Sequence, residues 1–441
     1  MQGKRLRKKQ RFPMFNFVWD IKNRQFMRLW WAQLISQFGD RINQMALIGL
    51  IAERTPGSAM NLAKILSFTI IPVFIVGPVA GAYIDRWDKR KTLFVCDILR
   101  GLLVLTIPFI FIYRQSMVPI YIVVFLIFCC SRFYIPAKMS IVPDLVPREN
   151  LLMANSLLTT TGMIAFVVGL AAGGLLVDFV GARGGFVADA VTFFASALLI
   201  ISISRDFNIK LDGNKLLETG REIIKIEQSV WAELKDGLKY LVRTPDIRFV
   251  INMFFTLMAA AGAIYVIIIV FIQQTFHTIT RDVAILAVFL GIGLFLGALA
   301  YGRWGQKMAW YKTIFLCLIA GGLMMVIFAL LVETYPNIFM AAGLSLALGL
   351  ITGPIFIASN TIVHLVSDGQ MRGKVFSALE IVMHFAFFVA MLMSAALSEV
   401  IARVWILVGV GVLFSGVGVI GLIRYKNGRG LAVDAQNMDN K

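Results

Sequence analysis

The sequence predicts an all-α membrane protein, with twelve transmembrane helices in two pseudo-symmetric six-helix bundles and both termini on the cytoplasmic side. Three observations predict it. Of 441 residues, 59% are hydrophobic and 15% charged, against about 25% charged in soluble domains. Apolar stretches of about 20 residues, long enough to cross a bilayer, recur along the chain. They fall in two sets of six on either side of a polar interval. This composition excludes an ordinary soluble enzyme. At about 20 residues per span the chain has room for about twelve spans and no large extramembrane domain.

The elements follow in order. Residues 1–25 form a basic tail, MQGKRLRKKQRF and a mixed stretch behind it. It lacks the short apolar core and small-residue cleavage site of a signal peptide, and is expected to be cytoplasmic. The first bundle, 26–203, holds apolar stretches at 26–52, 60–84, 92–113, 117–136, 152–180 and 184–203. The connector 204–247 mixes acids and bases. Within it, SVWAELKDGLKYLV sets Val230, Trp231, Leu234, Leu238, Leu241 and Val242 on one helical face, the pattern of an amphipathic linker helix at the membrane interface. The second bundle, 248–424, has stretches at 248–276, 282–303, 311–332, 337–360, 374–400 and 403–424, and 425–441 is a second cytoplasmic tail. Cys96, Cys129, Cys130 and Cys317 all lie in apolar runs, which makes them small buried hydrophobes without a disulfide framework or metal spacing.

The charge is lopsided, with 42 Lys+Arg against 25 Asp+Glu and a net charge of +17. On a soluble protein this would suggest nucleic acid. Sorting the basic residues by connection gives another reading. On the odd-numbered connections lie only Arg54, Lys64, Arg114, Arg183, Arg281 and Arg403, and Arg41 lies inside the first span. The rest occupy the tails, the even-numbered connections, the 204–247 segment or span ends facing them. Because Lys and Arg accumulate in cytoplasmic loops, the charge records orientation, and nucleic acid is not an expected partner.

After the second span runs GAYIDRWDKRK, and 216 residues later GALAYGRWGQK follows the eighth, with Tyr301 where the first copy has Asp85. This repeat supports a division into parallel halves. In the first copy, Gly81, Asp85, Arg86, Lys89, Arg90 and Lys91 place one acid among four bases between two spans. A carboxylate at a helix start is favoured by the dipole, and guanidinium groups can pair with it in one conformation and release it in another. Such a loop can serve as a cytoplasmic gate.

On these residues the sequence resembles the major facilitator superfamily, whose signature between the second and third spans is Gly-x-x-x-Asp-Arg-x-x-Arg-Arg/Lys. Within it, FGD (Phe38 to Asp40), IPAKMSIVPDLVPRENLLMANSL (Ile135 to Leu157) and RGKVFSALE (Arg372 to Glu380) are similar to bacterial macrolide-efflux and enterobactin-export proteins. FGD and PAK are also similar to lysophospholipid transporters. The resemblance implies a bacterial inner-membrane secondary transporter, a proton-coupled exporter of amphipathic small molecules such as drugs or siderophores working by alternating access as a monomer. A lysophospholipid flippase is the alternative, and a non-transporting sensor a third. GLAAGG, with Gly169, Gly173 and Gly174, is similar to an antiporter motif of the superfamily but has Leu170 in place of Pro. Small residues there also let helices pack closely. The fourth-span Arg common among such exporters is replaced by Ile127, and Arg132 reads as an interfacial snorkelling residue.

Ionisable groups inside spans are costly and usually functional. Asp40 and Arg41 fall mid-way along the first span, and Gln33, Gln37, Asp40 and Gln44 share one helical face that would line a substrate cavity. Asp40 could bind and release a proton, or could instead be locked in a pair with Arg41. Glu380 and His384, four apart in the eleventh span, form a second candidate proton site or a structural hydrogen bond. Asp189 is a lesser candidate, and Asp97 is expected to be tied to the basic loop beside it. With three His, no His-Glu-x-x-His, no nucleophile elbow and no phosphate-binding loop, neither enzymatic chemistry nor a metal or cofactor is expected. The expected partners are the amphipathic substrate, protons and membrane lipids.

Overall fold

The computed structural model describes residues 24–84, 87–113, 116–203, 235, 245–305, 309–366 and 372–426. The helices are α1 (Arg24–Arg54), α2 (Ala59–Ile75), α3 (Gly77–Ile84), α4 (Lys89–Tyr113), α5 (Val118–Leu145), α6 (Leu151–Ile201), α7 (Pro245–Phe276), α8 (Arg281–Trp304), α9 (Trp310–Thr334), α10 (Ile338–Val366), α11 (Arg372–Leu397) and α12 (Arg403–Lys426). The amphipathic stretch of the connector and both tails lie outside the described residues, as do Asp85 and Arg86.

Among the described residues, nine helices are long and apolar enough to cross a membrane. Three local features relate this to the twelve stretches of the sequence. The long helix α6 breaks at Gly181, where φ is 76°, a left-handed turn that glycine adopts without steric cost. It therefore contains both the fifth and the sixth span. The second span is split into α2 and α3 around Val76, whose N–H caps on the Pro72 carbonyl. The first span, α1, carries the Gln and charged residues that lower its hydropathy.

Packing repeats with a period of six. The first span lies on the fifth, the second on the fourth and the third on the sixth; the seventh lies on the eleventh, the eighth on the tenth and the ninth on the twelfth. The two halves meet mainly where the fifth span lies on α8 and α2 lies on α11. The hydrogen bonds Gln44 to Tyr265, Thr280 to the Gly174 carbonyl and Arg403 to the Gly57 carbonyl cross between the halves. They sit at mid-span or toward the end of the bundle opposite the chain termini, and the buried core there draws on both halves. Two further apolar clusters lie nearer the termini, one in each half.

Candidate functional site

The centre of the first half is built around Arg100, about three turns from the start of α4 and 1% exposed. Its guanidinium pairs with Asp97, one turn earlier on the same helix, and lies 3.7 Å from the Asp40 carboxylate on α1. The rings of Tyr134 and Phe193 lie against it, each centred 4.3 Å from the guanidinium carbon. The Ser196 hydroxyl donates to the other Asp97 oxygen at 2.6 Å. One cation thus serves two carboxylates from different spans. Asp97 is fully buried, whereas the Asp40 side chain is about one-third exposed. Asp97 is not held by the basic loop: α4 begins at Lys89, so Asp97 lies two turns inside the span and faces Arg100 and Ser196.

Asp189, on the sixth span, is buried beside this group. A Cβ on Gly39 would lie within 2.5 Å of its Oδ1. The absence of a side chain at Gly39 therefore brings the sixth span against α1 one residue from Asp40. Arg41 does not pair with Asp40. It turns the other way, donates to Gln44 at 2.8 Å and stacks 4.8 Å from the Phe166 ring. Gln44 in turn donates to the Tyr265 hydroxyl of α7 at 2.5 Å. The polar face of α1 is divided among neighbours in this conformation: Gln33 is buried with its amide 3.4 Å from the Leu158 carbonyl, Gln37 lies near Gly162, and Gln44 reaches the opposite half. His384 contacts the Glu380 backbone carbonyl at 2.8 Å through Nδ1, so their contact is to the backbone and not to the carboxylate.

Residues 29–390 match the Major Facilitator Superfamily. The chain belongs to that superfamily. It is therefore a multi-pass membrane transporter of small molecules and not an enzyme. Macrolide efflux protein A of Streptococcus pyogenes is 22% identical over 393 residues, covering 86% of this chain and 90% of that protein. The uncharacterized MFS-type transporter YfiS of Bacillus subtilis is 26% identical over 219 residues, and the match spans about half of each chain. Among solved structures, a bacterial homologue of the iron transporter ferroportin in its inward-facing state superposes with a TM-score of 0.67 at 12% identity, covering 90% of this chain and 98% of the other. That likeness is one of fold.

Around the superfamily's loop signature, the described residues show how its basic end is used. Lys89 pairs with Asp144 of α5 at 3.0 Å. Arg90 donates to the Ile200 and Ile201 carbonyls at the end of the sixth span, at 3.2 and 2.5 Å. That end is where the helix dipole favours a cation. Asp88, which sequence reasoning passed over, accepts the Arg90 and Lys91 amides at 3.0 Å and caps α4. An Asp directly before the first helical residue is the usual form of such a cap. Gly81 has open space around it.

The fifth-span glycines are contact points. A Cβ on Gly169 would meet the Arg41 stem at 2.9 Å, one on Gly173 the Ile42 backbone at 3.0 Å, and one on Gly174 would run into Ala284 of α8. The second half has a pairing of the same kind that sequence reasoning missed. Gly293 and Gly297 of α8 face Gly349 and Gly353 of α10, and a Cβ on any of them would collide with backbone. Two Gly-x-x-x-Gly spacings were the available signal.

Proposed function

We propose that this transporter is a proton-coupled exporter of amphipathic small molecules, operating as a monomer in a bacterial cell membrane with both termini in the cytoplasm. The carrying observation is Asp40: a partly exposed carboxylate at mid-span that shares the buried Arg100 with Asp97. Protonation of Asp40 removes its attraction to Arg100 and leaves the guanidinium to Asp97. This differential interaction biases one conformation over another. The same helix carries the effect to the interface, because Gln44, one turn on, is bonded to Tyr265 of the second half. With the cross-half bonds at the end away from the termini and basic residues concentrated at the termini end, the described conformation is read as inward-facing. The name of the macrolide-efflux relative supports export.

The test uses inside-out vesicles, with erythromycin, ethidium and a fluorescent lysophospholipid as probes. Gradient-driven accumulation of erythromycin or ethidium is expected, with loss on adding a protonophore and in Asp40→Asn and Asp85→Asn while both variants still reach the membrane. Accumulation that survives the protonophore, or that is unchanged in both variants, overturns the coupling. Gradient-independent movement of the lysophospholipid alone would favour the lipid reading.

A further inference from the structure

We infer that Asp189 carries a resident proton and shares it with Asp40, so that the proton site of this transporter is a pair of carboxyls on the first and sixth spans. The inference rests on the proton-coupled reading and specifies its site.

Around Asp189 lie Asp40 and the Asn43 amide of α1, Arg100 of α4 and Thr192 of its own helix. Asp40 and Arg100 in turn adjoin Asp97 of α4 and, from α5, Tyr134 and the half-buried Lys138. If every one of these were in its usual charged form, Asp40, Asp97 and Asp189 would place three negative charges against the two positive charges of Arg100 and Lys138. A membrane interior does not tolerate the surplus. One proton restores neutrality, and the geometry selects where it sits.

Asp97 has Arg100 and Ser196 as partners. Asp40 has Arg100 at 3.7 Å and is about one-third exposed. Asp189 is fully buried, with the neutral Asn43 amide and Thr192 hydroxyl as its polar neighbours, and its Oδ2 has no hydrogen-bond partner. The Thr192 hydroxyl favours the Asp189 backbone carbonyl at 2.7 Å over the carboxyl Oδ1 at 3.4 Å. A charged carboxylate left so poorly satisfied costs several kcal/mol, whereas the neutral acid does not. Asp189 is thus the acid that holds the proton while Asp40 is held by Arg100.

Gly39 makes sharing possible. It lets the Asp189 carboxyl touch the α1 backbone one residue from Asp40. In the shared step the O–H bond on Asp189 breaks and one forms on Asp40. Arg100 moves its attention from Asp40 toward Asp189, and the charge of the group is unchanged. Asp40 then exchanges the proton with solvent.

Infrared spectroscopy of the purified protein in lipid nanodiscs tests this without a substrate. The wild type is expected to show a protonated-carboxyl C=O band at neutral pH, lost in Asp189→Asn. Asn reproduces the neutral acid in shape, so that variant should fold, which its thermal unfolding will check. In Asp40→Asn the band should weaken or move in frequency, because two carboxylates then stand against two cations and the neighbour of Asp189 has changed. A spectrum without the band, or a band untouched by Asp189→Asn, overturns the resident proton. A band identical in wild type and Asp40→Asn overturns the sharing. Either result leaves the protonophore test of coupling standing on its own.

Discussion

Replacing Arg100 with Met should be among the most damaging single changes in the first half. Met fills much of the space of the arginine stem, so what is removed is the charge. Asp97 remains fully buried with only the Ser196 hydroxyl as a strong partner. Removing one member of a buried pair costs about 3–5 kcal/mol. The stacking on Tyr134 and Phe193 at 4.3 Å adds about 1 kcal/mol or more. The expected loss is therefore about 4–6 kcal/mol, measured by denaturant unfolding in detergent. Adding Asp97→Asn removes the stranded charge. The double variant should cost about 3 kcal/mol less than the sum of the two singles, an interaction energy at the upper end for contacting residues. The reasoning is refuted if Arg100→Met alone costs under about 1 kcal/mol, or if the double variant loses as much as the sum of the two singles.

Further outcomes follow from other contacts. Gly293→Ala should destabilise the second half by about 1–3 kcal/mol through overpacking against Leu346, whereas Gly343→Ala on α10, with open space around it, should be neutral or gain up to about 1 kcal/mol; thermal unfolding distinguishes them. Arg403→Ala removes the bonds to the Gly57 carbonyl and to Gln274. Loss of a charged hydrogen bond, about 1.5 kcal/mol, shifts an open–closed ratio about tenfold, read as faster labelling of an introduced Thr55→Cys by an impermeant thiol reagent. Asp88→Ala should cost about 1 kcal/mol in α4 capping and speed hydrogen exchange at the Arg90 and Lys91 amides.

Much of the fold was legible because apolar length is a strong signal and survives local irregularity. The break at Gly181 and the split of the second span around Val76 left the periodic division into twelve stretches intact. The site was legible in part. Asp40 and Asp189 stood out as charges inside apolar runs, but pairing between spans leaves no mark on a linear pattern. Asp40 and Arg41, neighbours in sequence, meet different spans once folded, since adjacent helix positions lie about 100° apart. Arg100 escaped notice for a related reason. It lies near the basic loop in sequence, and only the depth of α4 in the bundle showed that it was not a loop residue. The same proximity drew Asp97 toward the wrong partner. Glu380 and His384 lie one turn apart, and the ring meets the Glu380 backbone carbonyl instead of the carboxylate.

The two halves repeat in packing but not in charge. Among the described residues, the buried charged side chains of the first half, Asp97, Arg100 and Asp189, lie deep within their helices, while the second half's Asp282 sits at the start of α8. A duplicated scaffold with one electrically loaded copy divides its labour. Residues lining the second copy can drift in size and polarity without touching the buried charges of the first. In a laboratory evolution experiment, new cargo preferences should therefore accumulate in α7 to α12, while changes in the core of α1, α4 and the sixth span are purged.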